Sequence, residues 1–415
     1  WFERGRTKKP KNITVAGIVM FCLLSGSLQA QQKMKLEDML KMGSAQNLNL
    51  QAIKKETGYW QQLQSRIFDP GKTAFGGEYG GINGLDNDTR FFVSQGFSLP
   101  VVYNRQRQLY RTEQNLREQF ANWKEAELHK AIRLNFYSLV DNLERTKLLQ
   151  SLDSIYSRFQ QSANLRFQTG ETNILEKTTA EAQLQQIKLQ QAQLNADLLL
   201  LQQQLQWLLQ SGSLLLPDYS SLKAERNALS DSTDIDAHPQ IRYNEMQTMV
   251  ARAQTGIEKA KLTPDFSIGY SNQSIIGYHS EDGVNQKYYD GGHRFHIASL
   301  TMGIPLFNGA ARARIKAGKI QEEVADLNLK ASIEQMKNSL SQLETIINKE
   351  QLNLDYYENT GLEQSALIMR SATLSFEKGE ISYVEWVTLM NNAINIRINY
   401  LDAVQQYNQA VIEFN

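Results

Sequence analysis

The sequence predicts a mainly α protein with a membrane β component, built twice from the same order of elements. Three observations carry that reading. A short phrase occurs twice: Phe167, Gly170 and Glu171 return as Phe376, Gly379 and Glu380, each pair 209 positions apart (376 − 167). Two runs of helical pattern, 103–167 without Pro or Gly and 310–377 without Pro, far exceed the roughly 25 residues of a long globular helix. Two segments, 72–99 and 265–306, alternate in period two, each a hairpin with one apolar face.

The repeated phrase reads as a helix-to-helix reversal. A Gly just past a helix end takes the left-handed conformation without a Cβ clash. A helix start comes next each time, Asn173 with Glu176 and Ser382 with Glu385, which is the spacing of a capping box. A repeat at fixed offset decides the architecture before any single element does. The first unit is expected over 31–210, the second over 238–415, with a mixed polar connecting segment at 211–237.

Within the first unit, an amphipathic helix runs from Leu36 to Ile67 and stops at Asp69-Pro70-Gly71. In the next hairpin, Phe91, Val93 and Phe97 share one face, with Phe92, Ser94, Gly96 and Ser98 opposite. Pro100 ends it. The long helix 103–167 and the return helix 173–210 come after it. The return helix carries Ile187, Leu194, Leu198, Leu201, Leu205 and Leu208 in threes and fours, a coiled-coil seam. The second unit repeats the order: a helix from Pro239 to Leu262, a strand alternating Phe266, Ile268 and Tyr270 against Ser267, Gly269 and Ser271, and a long loop at 272–292. Then come a strand with Leu300 and Met302 on one face, the long helix 310–377 and the return helix 382–414.

Composition narrows the function. Basic and acidic residues number 44 each, so net charge is zero and no electrostatic footprint for nucleic acid exists. Hydrophobic residues make up 41% of the chain, which suits long wetted helices better than a thick core. Cys22 is the single cysteine, so no disulfide forms within one chain. No constellation supports catalysis or a cofactor. His293-x-x-His296 is the nearest approach to a metal pair, and without a Cys partner it reads as a solvated loop.

The chain opens on Trp1 rather than Met, which reads as a processed product or a fragment. A basic tail, 1–11, precedes a mostly apolar segment, 12–30, with small residues to Ala30. This is the form of an export signal; the alternative is a single membrane-spanning helix. On either alternative the Lys/Arg cluster stays cytoplasmic and the chain from Gln31 onward is exported. Phe21 before Cys22 argues against lipoprotein cleavage.

Four strands are too apolar on one face for water and too few to close. A sheet in hydrocarbon must close, and the smallest such barrels have about eight strands. The chain is therefore expected to borrow strands from copies of itself.

The order of helix, Pro-terminated hairpin, long helix, Phe-x-x-Gly-Glu reversal and return helix, used twice, resembles the TolC family of outer-membrane efflux ducts over about 31–415. The matching pieces are Asp265–Tyr270, Ile304-Pro305-Leu306-Phe307-Asn308 and the two reversal phrases. The resemblance implies a homotrimer with a long coiled-coil α-helical barrel in the periplasm and a shared transmembrane β-barrel of four strands per chain. It also implies outer-membrane lipid around that barrel, and a periplasmic adaptor and an inner-membrane RND pump as partners. It places the reversals, with tips Phe167, Gly170, Glu171, Phe376, Gly379 and Glu380, at the periplasmic entrance. Glu385 matches a position where the family has an acidic ring, and Glu176 is its counterpart. Ile381 stands where some members have Arg, and Thr388 where some have a second acid. Each Glu reads equally as a helix cap. Phe167 and Phe376 read as packing of the reversal rather than lumen lining. Trp1-Phe2-Glu3-Arg4 and the basic residues after it are similar to the cytoplasmic end of heavy-metal RND pumps, which points to a pump–duct fusion and metal cations as cargo.

Overall fold

A computed structural model describes residues 32–226, 235–280 and 283–415. The basic tail, Cys22 and the export-like segment lie outside the described residues. Among those described, no helix is long and apolar enough to cross a membrane.

The chain runs β1 (Gln32–Met34), α1 (Leu36–Gln46), α2 (Leu48–Ser65), β2 (Ala74–Gly80), β3 (Asp88–Ser98), α3 (Pro100–Gln168), α4 (Ile174–Leu209) and β4 (Leu215–Pro217). It continues with α5 (Pro239–Ala260), β5 (Asp265–Ser274), β6 (Gly277–Ser280), β7 (Gln286–Tyr289), β8 (Arg294–Gly303), α6 (Gly309–Tyr356), a π turn (Tyr357–Gly361), α7 (Leu362–Glu377) and α8 (Tyr383–Phe414). Pro100 and Pro239 sit in the first turn of their helices, where the missing N–H costs nothing. The 69 residues of α3 span roughly 104 Å at the α-helical rise. Its counterpart, α6 through α7, has the same length and begins at the same 209-residue offset (309 − 100).

Strands β2, β3, β5 and β8 form one antiparallel sheet in that order, with β2 and β8 as open edges. Register separates its faces. Phe75 pairs with Val93, Val93 with Tyr270, and Ile268 with Leu300, so one face is apolar and aromatic. Ser94 pairs with Gly269, Gly269 with Ser299, and Ser267 with Thr301, so the other is small and hydroxylic. Among the described residues no element covers the apolar face: Phe75 is 85% exposed and Leu300 72%.

Packing is a thin thread along the helices rather than a globular centre. One cluster lies where α1, α3, α4 and β4 meet, around Met39, Ile132, Leu139 and Leu205. A second joins α6 and α8 through Ile347, Leu354, Val404 and Val411. The third fills the far end, around Leu152, Tyr156, Ala180 and Trp386. The seam of α4 is buried or half-buried against α3, while Leu199, Leu200 and Trp207 stay exposed.

The structure departs from the sequence reading at several places. The expected helix 36–67 is broken at Asn47, whose side chain caps Leu50 N at 3.1 Å and donates to Leu208 O at 3.1 Å. A tertiary contact to the end of α4 thus fixes a break that propensity does not announce. The loop expected at 272–292 contains the hairpin β6–β7, with Tyr278 against Tyr288. The strand expected to reach residue 306 stops at Gly303, short of Pro305, leaving Leu306 and Phe307 exposed. The connecting segment holds β4, paired in parallel with β1. The run 310–377 is interrupted by the π turn, one residue wider than an α-turn. There Gly361 is buried, and a Cβ would meet Tyr357 Cδ1 at 3.0 Å and Ile396 Cγ2 at 3.4 Å, so close approach to α8 favours glycine.

Candidate functional site

The two reversals end the long helices side by side, opposite the sheet. Gly170 has φ 76° and Gly379 φ 78°, the left-handed region that glycine enters freely. The same bonds close both. Glu171 N donates to Arg166 O and Glu380 N to Ser375 O, each at 2.8 Å, which satisfies carbonyls that a helix end leaves free.

The helix starts then differ. At α8, Ser382 and Glu385 make a full capping box: Glu385 N donates to Ser382 Oγ at 3.3 Å and Ser382 N donates to Glu385 Oε2 at 2.7 Å. The Ser382 N–H first, and then the Ser382 hydroxyl, which donates to Glu385 Oε2 at 2.8 Å, hold the Glu385 carboxyl below the usual glutamate range. At α4 only half of the expected box forms. Asn173 accepts from Glu176 N at 3.1 Å, but the Glu176 side chain turns away. Arg166 Nη1 donates to its Oε1 at 3.1 Å and Thr172 Oγ donates to its Oε2. Glu176 is mostly buried in this pair, with a side chain 13% exposed. An arginine within reach competes for the carboxylate and wins, because a charge-assisted bond is stronger than one to a neutral N–H.

Of the tip residues, Glu171 lies 4.0 Å from Arg166 Nε and is largely solvated. Ser375 Oγ donates to Glu380 at 2.9 Å. Phe167 sits at the surface beneath Lys177 Nζ, 5.3 Å from its ring. Phe376 is turned inward, 5.2 Å from Phe159 and 5.7 Å from Trp386. A cavity of about 1120 Å³ lies between the two reversals, bounded by Arg158, Arg166 and Glu176 on one side and Phe376, Tyr383 and Trp386 on the other.

Sequence reasoning missed the aromatic group beside this cavity. Phe159 stacks on Trp386 at 4.5 Å and on Tyr383 at 4.9 Å, and Tyr156 lies 5.4 Å from Trp386. Burial pushes the Tyr156 phenol up to about 12; burial, with Tyr156 and Glu176 nearby, does the same for Tyr383. The available signal was aromatic residues three apart next to each reversal, 156 with 159 and 383 with 386. The imidazole pair lies elsewhere: His293 packs on Tyr289 and Phe295, and His296 bonds Tyr270. Among the described residues no group of three or more His, Cys, Asp and Glu side chains could hold a metal.

Comparison with known proteins agrees with this architecture. Residues 234–414 match the family model described as outer membrane efflux protein. No curated protein sequence matches the chain. Among solved structures the chain is similar to CusC, studied for folding and transmembrane channel formation, with 14% identity, a TM-score of 0.74 and 92% of each chain covered. It is similar to the outer-membrane channel OprN, with 15% identity, a TM-score of 0.76, and 91% of this chain and 88% of that one covered. It is also similar to the CmeC outer membrane channel of Campylobacter jejuni, with 13% identity, a TM-score of 0.73, and 91% and 84% covered. The chain thus has the fold of these outer-membrane channels, and its second half carries the sequence pattern of the outer membrane efflux protein family.

Proposed function

We propose that three copies of this chain join their sheets into one barrel in an outer membrane and extend their helices as a tube through the periplasm. The assembly is a passive exit duct, not an enzyme. It receives substrate from an inner-membrane RND pump through a periplasmic adaptor. The observation that carries this reading is the open four-stranded sheet: two unpaired edges, one apolar face and one small hydroxylic face. Hydrocarbon tolerates no free edge, so the edges need strands from other copies. The apolar face then meets lipid, and the hydroxylic face lines a wet lumen.

The exposed Leu199, Leu200 and Trp207 of α4 and Ile320 and Leu327 of α6 supply apolar surface for helix contacts between copies. Glu176 and Glu385, one of each from every copy, form the entrance at the other end. Cargo is selected at the pump. The likeness of the Trp1–Arg4 segment to heavy-metal pumps makes metal cations the first cargo to test.

The test is assembly. Extracted in detergent, the chain is expected to run as a trimer whose sheet signal is lost only when the trimer dissociates. A well-folded monomer in detergent-free buffer would overturn the reading and favour a non-transporting coiled-coil scaffold of the envelope.

A further inference from the structure

A single arginine stands on the apolar face of the sheet. Register puts Arg294, His296 and Leu300 of β8 on the same face as Phe75, Val93 and Ile268. Among the described strand residues of that face, Arg294 is the one Lys, Arg, Asp or Glu. It is tied down at three points. Its Nε donates to Asn272 Oδ1 at 2.6 Å, its Nη2 to Asn272 O at 3.0 Å and its Nη1 to Thr89 Oγ1 at 2.7 Å. The guanidinium carbon also lies 5.7 Å from the centre of the Phe91 ring.

All three acceptors are neutral, and among the described residues no carboxylate pairs with Arg294. On the opposite face at the same end of the sheet, Arg90 does have its acid, with Nη1 3.5 Å from Glu78 Oε2. A β2 strand from another copy, closing the barrel against β8, would bring no acid to the Arg294 face. There β2 presents Phe75, Gly77 and Tyr79, with Glu78 on the other side. A guanidinium has five N–H groups, so three bonds leave one free on each terminal nitrogen. His296 adds a donor beside it. Asn272 Oδ1 is taken by Arg294, so Asn272 Nδ2 faces His296 Nδ1, 3.4 Å away, and the Tyr270 hydroxyl bonds the same nitrogen. Nδ1 therefore accepts, and the ring proton sits on Nε2.

Position selects the ligand. Along β8, Arg294 lies six residues from Leu300 (300 − 294), which is about 20 Å at the rise of a strand. At a tilt of about 40° that is about 15 Å along the barrel axis, beyond half of an apolar band about 25 Å tall and centred near Leu300. The long helices leave the sheet at its other end, after Ser98 and Gly303, so the Arg294 end meets the outer leaflet. We propose that Arg294, with His296 beside it, binds the phosphate of an outer-leaflet lipid, one lipid per copy. The proposal rests on the reading of the sheet as part of a membrane barrel. A cation at headgroup level on a lipid-facing surface needs a countercharge, and here the protein supplies none. The two free N–H groups match a pair of phosphate oxygens. Asn272 and Thr89 hold the guanidinium in place beforehand, so little side-chain freedom is lost when the lipid arrives.

The experiment uses the full chain, purified in detergent. It is titrated with lipopolysaccharide and, separately, with the same lipid after enzymatic removal of its phosphates, and bound lipid is counted by native mass spectrometry. Wild-type protein should bind the phosphorylated lipid at least about ten-fold more tightly, the scale of a hydrogen bond to a charged group. Arg294→Gln should abolish that preference. Arg294→Lys keeps the charge without the fork and should retain part of it. Arg90→Gln, at the same end but on the lumen face, should leave the preference unchanged. Equal binding of the two lipids by wild-type protein would overturn the site, whether or not any variant assembles. A preference that survives in Arg294→Gln, or one lost equally in Arg90→Gln, would overturn it too. Competition by inorganic phosphate at the lipid's own concentration would replace the lipid site with a free-phosphate site. A chain that never forms a trimer would refute the duct itself, a different outcome from a trimer indifferent to lipid phosphate.

Discussion

Arg166 and Glu176 face each other across the first reversal at 3.1 Å, whereas the second reversal has Ser375 in the place of Arg166 and leaves Glu385 to its own cap. The two acids at the proposed entrance are therefore unequal. One carries its countercharge with it, and the other faces solvent with its charge intact.

The first prediction rests on that inequality. Arg166→Gln removes the countercharge and leaves Glu176 free. With three copies at a narrow mouth, block of the channel by a trivalent cation should then increase. Thermal stability should fall as well, because the mostly buried Glu176 carboxylate loses its partner. Unchanged block, with Glu176 confirmed as released by a raised accessibility of its carboxylate to labelling, would remove Glu176 from the conduction path.

Glu385 separates ring from cap by choice of substitution. Glu385→Gln keeps an acceptor for Ser382 N and removes the charge, so on the ring reading it lowers cation block with little change in melting. On the cap reading block stays as it was, and only Glu385→Ala destabilises, by the loss of a cap. The pH dependence has a fixed sign. The folded carboxyl is held below the ordinary value of 4.5 by its hydrogen bonds. Its contribution is thus fully present above pH 4.5 and is lost as pH falls through the lower folded value. A thermal scan from about pH 6 down to about pH 3 should show an acid-side loss that Glu385→Gln reduces.

How much of this was legible beforehand depends on where the deciding contact lies. The helix ends at Gly170 and Gly379 were readable because a left-handed residue, a local bond pattern and a cap all fall within a few neighbours. The faces of the sheet were readable because period two is local. The break at Asn47 was not, since its amide is held by Leu208, far away in sequence. The half-formed cap at Asn173 was not, because the competitor, Arg166, belongs to the previous helix. The π turn hangs on Gly361 meeting Ile396 of α8. Phe159 was invisible for the same reason: each of its partners belongs to the other repeat.

Strand register gives a paired test of the sheet. Leu300 lies on the apolar face opposite Ile268, and Thr301 on the hydroxylic face opposite Ser267. If lipid covers the first and water the second, Leu300→Arg should cost about 2–4 kcal/mol near the membrane midplane and reduce the amount of trimer recovered from membranes. Thr301→Arg should assemble normally and change conductance instead. Equal tolerance at both positions would mean the faces are not divided between lipid and water.

The last prediction concerns Asp88, which stands at the start of β3 and is completely buried. Its Oδ1 accepts from Ser274 Oγ at 3.0 Å and from Ile276 N at 2.8 Å; its Oδ2 accepts from Asn83 N and Asn83 Nδ2, both at 3.1 Å. Four donors converge on one carboxylate, and they come from the β2–β3 turn and from the end of β5. The residue thus pins the turn of the first hairpin to the point where β5 leaves for β6. Asp88→Asn is nearly isosteric, yet its amide nitrogen must face two of those donors whichever way it is flipped, so two bonds are lost and donor meets donor. Each group left unsatisfied costs about 1–3 kcal/mol. Because the loss falls on the loops rather than on the strand ladder, it should appear as local opening before any drop in trimer stability. Lys287 on β7 is exposed and reports on that opening. Trypsin should cut after Lys287 faster in Asp88→Asn than in the wild type, with the trimer intact on a gel. Equal cleavage rates would show that β6–β7 holds its place without Asp88.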